Sequence, residues 1–141
     1  MYVSIKKIQK EAEIAVRQGV TQLIISDKEL SSSRLPIPML IAVGAINSIL
    51  IEKKLRGYVS INVQSGEAMD THSFATLIGV GATTVNPYLA FDCLYQRHEK
   101  KLFGKFSFDE CVERYIKSVN AGLLKITVSY THLTLPTNRE V

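Results

Sequence analysis

The chain has 141 residues, carries a formal charge of +4 and is 46% hydrophobic, which allows one domain with a buried core and argues against disorder. Its lysines and arginines are spread along the chain rather than gathered in a basic stripe with stacking aromatics, so nucleic acid is not an expected partner. Its two cysteines, Cys93 and Cys111, lack the close spacing of zinc or iron–sulfur ligands and read as small buried hydrophobes on helices.

In chain order, Ser4 to Gln18 reads as a helix, with Ile5, Ile8, Ala12, Ala15 and Val16 at helical spacing and Gly19 as its stop. This charged amphipathic start is unlike a secretory leader, and the expected location is cytoplasmic. Leu23, Ile24 and Ile25 form a short apolar run, the pattern of a strand buried on both faces. Ser26 to Pro38 reads as a polar loop. Pro38 to Lys53 reads as a second, mostly buried helix that Gly57 breaks. The uncharged run from Leu35 to Ile51 contains Pro36, Pro38, Asn47 and Ser48 and is shorter than the ~20 apolar residues of a membrane span. Because this helix is apolar on nearly every face, part of its surface is expected to be bare.

Tyr58 to Gln64 reads as the second strand. Asp70 or Thr71 caps a third helix whose Phe74, Leu77 and Ile78 face inward and which Gly79 and Gly81 end. Ala82 to Asn86 is a third strand, and Pro87 opens a fourth helix running through His98. A charged linker, Lys100 to Lys105, leads to a fifth helix at Ser107, with Glu110 placed to complete a capping box. Its expected buried stripe is Phe108, Val112, Tyr115, Ile116, Val119 and Leu123. Strands alternating with helices imply parallel βαβ units joined by right-handed crossovers. The expected fold class is therefore α/β: a partial parallel sheet of three strands with about five helices, part of a barrel-like or doubly wound domain.

In such folds chemistry gathers at the C-terminal ends of the strands. Here those ends are Ser26 and Asp27; Gln64, Ser65, Gly66 and Glu67; and Asn86, Pro87 and Tyr88. The segment SGEAMDTH, residues 65–72, is the richest. Glu67, Asp70 and His72 could ligate a metal. Ser65 and Gly66 before a helix could cradle phosphate. The plainer reading is that Gly66 turns the chain while Asp70 or Thr71 caps the helix and His72, at its head, is exposed or packs against the cap. Asp92 reads as solvated, and no serine nucleophile elbow occurs.

The segment after Ile126 stands apart. Back-translated, Val128 to Thr137 can be written as the end of a transposase-based sequencing adapter, so residues 127–141 read as a translated adapter tail and residues 1–126 as the domain. A genuine strand, with Ile126, Val128 and Tyr130 alternating, is the other reading.

Three blocks in order, IISDKELSSSRLPIPMLIAVGAI (24–46), VQSGEAMDTHSFATLIGVGATTVNPYLAFDCL (63–94) and YIKSVNAGLLKI (115–126), resemble the central domain of the large subunit of glutamate synthase. The resemblance implies a parent enzyme that forms L-glutamate from glutamine and 2-oxoglutarate. It further implies FMN and iron–sulfur clusters in that parent, with NADPH, NADH or ferredoxin as reductant. The partners it implies are the amidotransferase and FMN-binding synthase domains of the same chain, with a small reductase subunit as a further candidate. Met1 is followed by Tyr2 rather than by the amidotransferase cysteine, and no cluster-binding cysteine set occurs, so no catalytic, cofactor or metal residue is carried over. Ser26, Asp27, Ser65, Gly66, Glu67, Asn86 and Tyr88 are interface or tunnel-side candidates by position. The alternative is an independent small α/β module that binds a ligand or phosphate.

Overall fold

The computed structural model of the chain describes residues 2–29, 31 and 35–132. Most of the predicted 26–38 loop falls within these, but positions 30 and 32–34 lie outside them, as does residue 133 onward of the expected tail. The elements run α1 (Tyr2–Arg17), β1 (Gln22–Ser26), α2 (Met39–Glu52), a 3-10 turn (Arg56–Tyr58), β2 (Ser60–Gln64), α3 (Thr71–Gly79), β3 (Thr84–Asn86), α4 (Tyr88–Glu99) and α5 (Phe108–His132). The strands form one parallel sheet in the order β1-β2-β3, and the sheet does not close. Its register pairs Ser26 with Gln64 and Gln64 with Asn86, so the three C-terminal ends lie in one row.

Alternation along the strands decides which face is covered. Ile61 and Val63 are buried, and Leu23, Ile25 and Val85 pack against the same core as Val43, Ile46 and Leu50 of α2 and Phe74 and Leu77 of α3. The opposite face carries Gln22, Ile24, Ser26, Ser60, Asn62, Gln64, Thr84 and Asn86. This overturns the expectation that β1 is buried on both faces: Ile24 is 74% exposed. A three-residue apolar run cannot report whether a second layer exists, and here the helices sit on one side only. The uncovered face is nearly all polar, and its side chains join in pairs across the strands. Ser26 Oγ donates to Gln64 Oε1 at 2.8 Å and Thr84 Oγ1 to Asn62 Oδ1 at 2.7 Å.

Helix ends follow local chemistry. Asp70 accepts from the Ser73 amide at 2.8 Å and so caps α3. Ser107 and Glu110 cap α5 reciprocally, at 2.7 and 3.3 Å. These hydrogen bonds hold both carboxyls, Asp70 through Ser73 and Glu110 through Ser107, below the usual carboxylate range. Helices α1 to α4 close with a six-to-one backbone bond around a left-handed residue, Gly19, Lys54, Gly81 and Lys101 in turn. α2 therefore ends at Glu52, and the left-handed residue that closes it is Lys54, three positions before the glycine expected to break it.

At the N-terminal ends of β2 and β3, the Arg56 guanidinium donates to Asn47 Oδ1 (2.8 Å), the Val59 carbonyl (2.6 Å) and the Gly81 carbonyl (2.9 Å). One side chain thus joins α2, the entry to β2 and the α3–β3 loop. On α2, Leu40, Ile41 and Ile51 are exposed, in line with the expected bare surface. On α5, Val119 and Cys111 are buried whereas Ile116, expected in the buried stripe, is 43% exposed. Cys93 is half-buried.

The chain is helical through His132, not extended as the alternating pattern at 126–130 allowed. Among the described side chains of α5, the last that packs against the core is Leu123, and positions 124–128 are all exposed. Truncation after Ile126 is expected to shift stability by less than about 1 kcal/mol, below the size of a typical lost native contact. Urea unfolding of the full and shortened chains checks this, and a larger loss would make the segment part of the fold.

Candidate functional site

The strand C-termini form a hydrogen-bonded cluster around Asp27, which is 9% exposed. β1 ends at Ser26, and the Asp27 amide donates to the Gln64 carbonyl at 3.2 Å, which turns the carboxylate toward the end of β2. There it accepts from Ser65 Oγ at 2.7 Å and from the Gly66 amide at 3.0 Å. Ser65 is fully buried; its Oγ accepts from the Glu67 amide at 3.0 Å, and its own amide donates to the Asn86 carbonyl at 3.0 Å.

Tyr88, at the start of α4, completes the cluster. Its hydroxyl lies 3.0 Å from where a Cβ on Gly66 would stand, so a side chain there would make the ring give way by a few tenths of an ångström. Burial, then a hydrogen bond to the Asp27 carboxylate, pushes the Tyr88 hydroxyl above the ordinary phenol range. Lys28 Nζ lies over the same ring, 5.6 Å from its centroid.

The remaining predicted residues diverge. Glu67 swings toward α2, where Oε2 accepts from the Met39 amide at 3.0 Å and caps a helix whose own N-cap residue, Pro38, offers no side-chain acceptor. Ser26 turns onto the uncovered sheet face with Gln64, in the same row as exposed Asn86. Asp27, Ser65, Gly66 and Tyr88 are thus brought together, while the side chains of Ser26 and Glu67 bond elsewhere and Asn86 joins through its carbonyl. Met39 takes part without having stood out in the sequence, because its role depends on a partner far away in the chain. A cleft of about 780 Å³ opens beside the cluster between α1, β1 and α2, with Ser26, Asp27 and Gln64 at its rim and Ile8, Ala12 and Ala42 among its walls.

This arrangement is poorly suited to the chemistry its residue types could carry elsewhere. A phosphate cradle needs free amides, yet the Gly66 amide already faces a carboxylate and the Glu67 amide already faces Ser65. A metal site needs convergent ligands, yet Glu67 caps α2 while Asp70 caps α3 and His72 is exposed. Among the described residues no group of three or more His, Cys, Asp and Glu converges. The Ser65–Asp27 pair has the spacing of a nucleophile and its partner, but Ser65 has no exposed surface for a substrate to reach. The cluster is a pin that fastens β1, β2 and α4 to one another.

A sequence profile of the glutamate synthase central domain matches residues 1–130. The chain belongs to the glutamate synthase central-domain family. It is 44% identical over 123 residues to the glutamate synthase [NADPH] large chain of Azospirillum brasilense, covering 87% of this chain and 8% of that one. It is 44% identical over 122 residues to the corresponding large chain of Bacillus subtilis, covering 86% and 8%. Against the ferredoxin-dependent, chloroplastic glutamate synthase of Spinacia oleracea it is 38% identical over 133 residues, covering 86% and 8%. The chain thus spans under a tenth of the length of these relatives. The blocks that carried the resemblance in the sequence fall on β1–α2, β2–α4 and α5 of this central-domain fold. Among the described residues no helix is long and apolar enough to cross a membrane.

Two tyrosines give the site a pH signature. Tyr115 donates to the Met69 carbonyl at 3.2 Å, and burial followed by the nearby Asp70 charge raises its hydroxyl as well. A phenol whose folded pKa is raised stabilises the fold below its unfolded value and loses that contribution as pH rises through the folded one. Stability is therefore expected to fall as pH climbs past about 10, the ordinary phenol value. An alkaline titration at 295 nm should show late-ionising phenols, and Tyr88→Phe should remove one of them. An unchanged late phase in that variant would show that Tyr88 is not among them.

Proposed function

We propose that this chain is a stretch of a glutamate synthase large chain and that it works there as a non-catalytic connecting layer between the amidotransferase and FMN-binding synthase domains. The observation that carries this reading is the 44% identity to NADPH-dependent large chains along almost the whole of its length. The internal engagement of Asp27, Ser65, Gly66 and Glu67 supports a connecting rather than a catalytic role. The parent would form L-glutamate from glutamine and 2-oxoglutarate in the cytoplasm, using FMN, iron–sulfur clusters and NADPH, NADH or ferredoxin, with a small reductase subunit as a further partner. No cofactor is assigned to this stretch. The polar sheet face around Ser26, Gln64 and Asn86 is the surface it would turn toward neighbouring domains or an ammonia path. The independent phosphate-binding reading is disfavoured by the carboxylate that occupies its cradle.

The isolated chain is expected to release no glutamate from glutamine and to form none from 2-oxoglutarate with any of the three reductants. The full-length parent polypeptide, reconstituted with flavin and clusters, is expected to do both. Glutamate production by the purified 141-residue chain above a heat-killed control would overturn the reading.

A further inference from the structure

We propose that the outer edge of β3 receives a fourth parallel strand from another stretch of the same parent polypeptide, with apolar side chains entering the cavity between β3 and α5. The proposal rests on the reading of the chain as part of a larger enzyme. β1, β2 and β3 lie side by side in chain order, each strand–helix–strand unit laying its new strand on the same flank. α4 and α5 continue this winding past β3, with α5 packed on both α3 and α4 as the next helical layer. Beyond β3 lies a cavity of about 430 Å³, walled by Val85, Pro87, Phe91, Ile116, Val119 and Leu123, with no charged side chain in its lining. Beside it Ile78 and Ile116 remain 46% and 43% exposed.

The occupant follows from two features of this edge. Among the described residues no strand pairs with the outer side of β3, and a row of unpaired main-chain groups is satisfied by another strand rather than by a helix. A second copy of the chain fits poorly. Two β3 edges related by a twofold axis would meet antiparallel over three residues, Thr84–Asn86, before Pro87 ends the pairing. The same three residues are open to a strand from the parent, which can keep the parallel direction of the sheet, and more than nine-tenths of the relatives' length lies outside the stretch matched here.

The test compares the 141-residue chain with the full-length parent by hydrogen exchange at the Thr84 and Asn86 amides, which face away from β2. In parallel, an Ile116→Cys variant is labelled with maleimide and read peptide by peptide, so that Cys93 and Cys111 do not interfere. The expected result is exchange and labelling both slower in the parent by about tenfold or more. If Ile116→Cys is protected while the β3 amides exchange as in the short chain, the cavity is covered by something other than a strand and the proposal falls. It also falls if protection appears in the short chain and grows with concentration, which would mark a second copy. No protection in a parent that forms glutamate sinks the strand alone; protection in a parent that forms none sinks the functional reading alone.

Discussion

Gly81→Ala is expected to destabilise the chain by about 3 kcal/mol, the sum of a strained backbone and an overfilled contact. Gly81 sits at φ +120°, where a side chain is strained whatever the space around it. A Cβ there would also stand 2.3 Å from Asn47 Cγ. Asn47 cannot step aside freely, because its Oδ1 accepts from Arg56, whose guanidinium also holds the Gly81 carbonyl. Relief of the clash would therefore loosen the tie that fixes the starts of β2 and β3. The control is Gly57→Ala, where nothing lies within 4 Å and φ is not positive. Chemical denaturation should leave the control within about 0.5 kcal/mol of the parent sequence. Equal midpoints for the two variants would refute the Arg56–Asn47–Gly81 account.

The second large effect is expected at Asp27. Asp27→Ala removes the acceptor shared by Ser65 Oγ and the Gly66 amide and leaves both donors in a buried place. An unsatisfied buried donor costs about 1–3 kcal/mol, so a loss near 3 kcal/mol is expected for the variant. Asp27→Asn keeps one acceptor oxygen and the same shape, and about half that loss is expected. A double-mutant cycle with Ser65→Ala separates the pin from simple packing. The two losses should fall short of additivity by about 1 kcal/mol, since removing Asp27 already abolishes what Ser65 contributes. Strict additivity would mean that the Ser65–Asp27 hydrogen bond carries no energy of its own.

What the sequence disclosed and what it concealed divide by range. Capping is local, so Asp70 and the Ser107–Glu110 pair were legible, as was the Gly19 stop. Lys54 was not, because nothing local marks a lysine for the left-handed position that glycine usually takes. The order of strands and helices followed from the alternation of apolar runs with helical spacing. Ile24 and Ile116 misled for a common reason: periodicity says which residues share a face, not whether that face has a neighbour. At the candidate site, Ser65, Gly66 and Asp27 could be placed at strand ends by topology alone. Their mutual bonding could not, since Asp27 and Ser65 are 38 positions apart. Arg56 drew no attention in the sequence because its acceptors are carbonyls and an amide, which carry no charge pattern to recognise.

The ties that fasten this sheet all reach forward along the chain. Ser26 waits for Gln64, Asp27 for Ser65 and Gly66, Met39 for Glu67 and Arg56 for Gly81. During synthesis from the N-terminus, β1 and the first turn of α2 therefore emerge with α1 to pack on but before the groups that bond to Ser26, Asp27 and the Met39 amide. A ribosome paused before Glu67 would hold an apolar α2 with an open end. The stretch from Ser60 to Gly81 then acts as a clasp, closing both ends of the sheet as a single late event. Translation speed across those codons, more than helix propensity upstream, would govern how long the nascent segment stays vulnerable to aggregation and proteolysis.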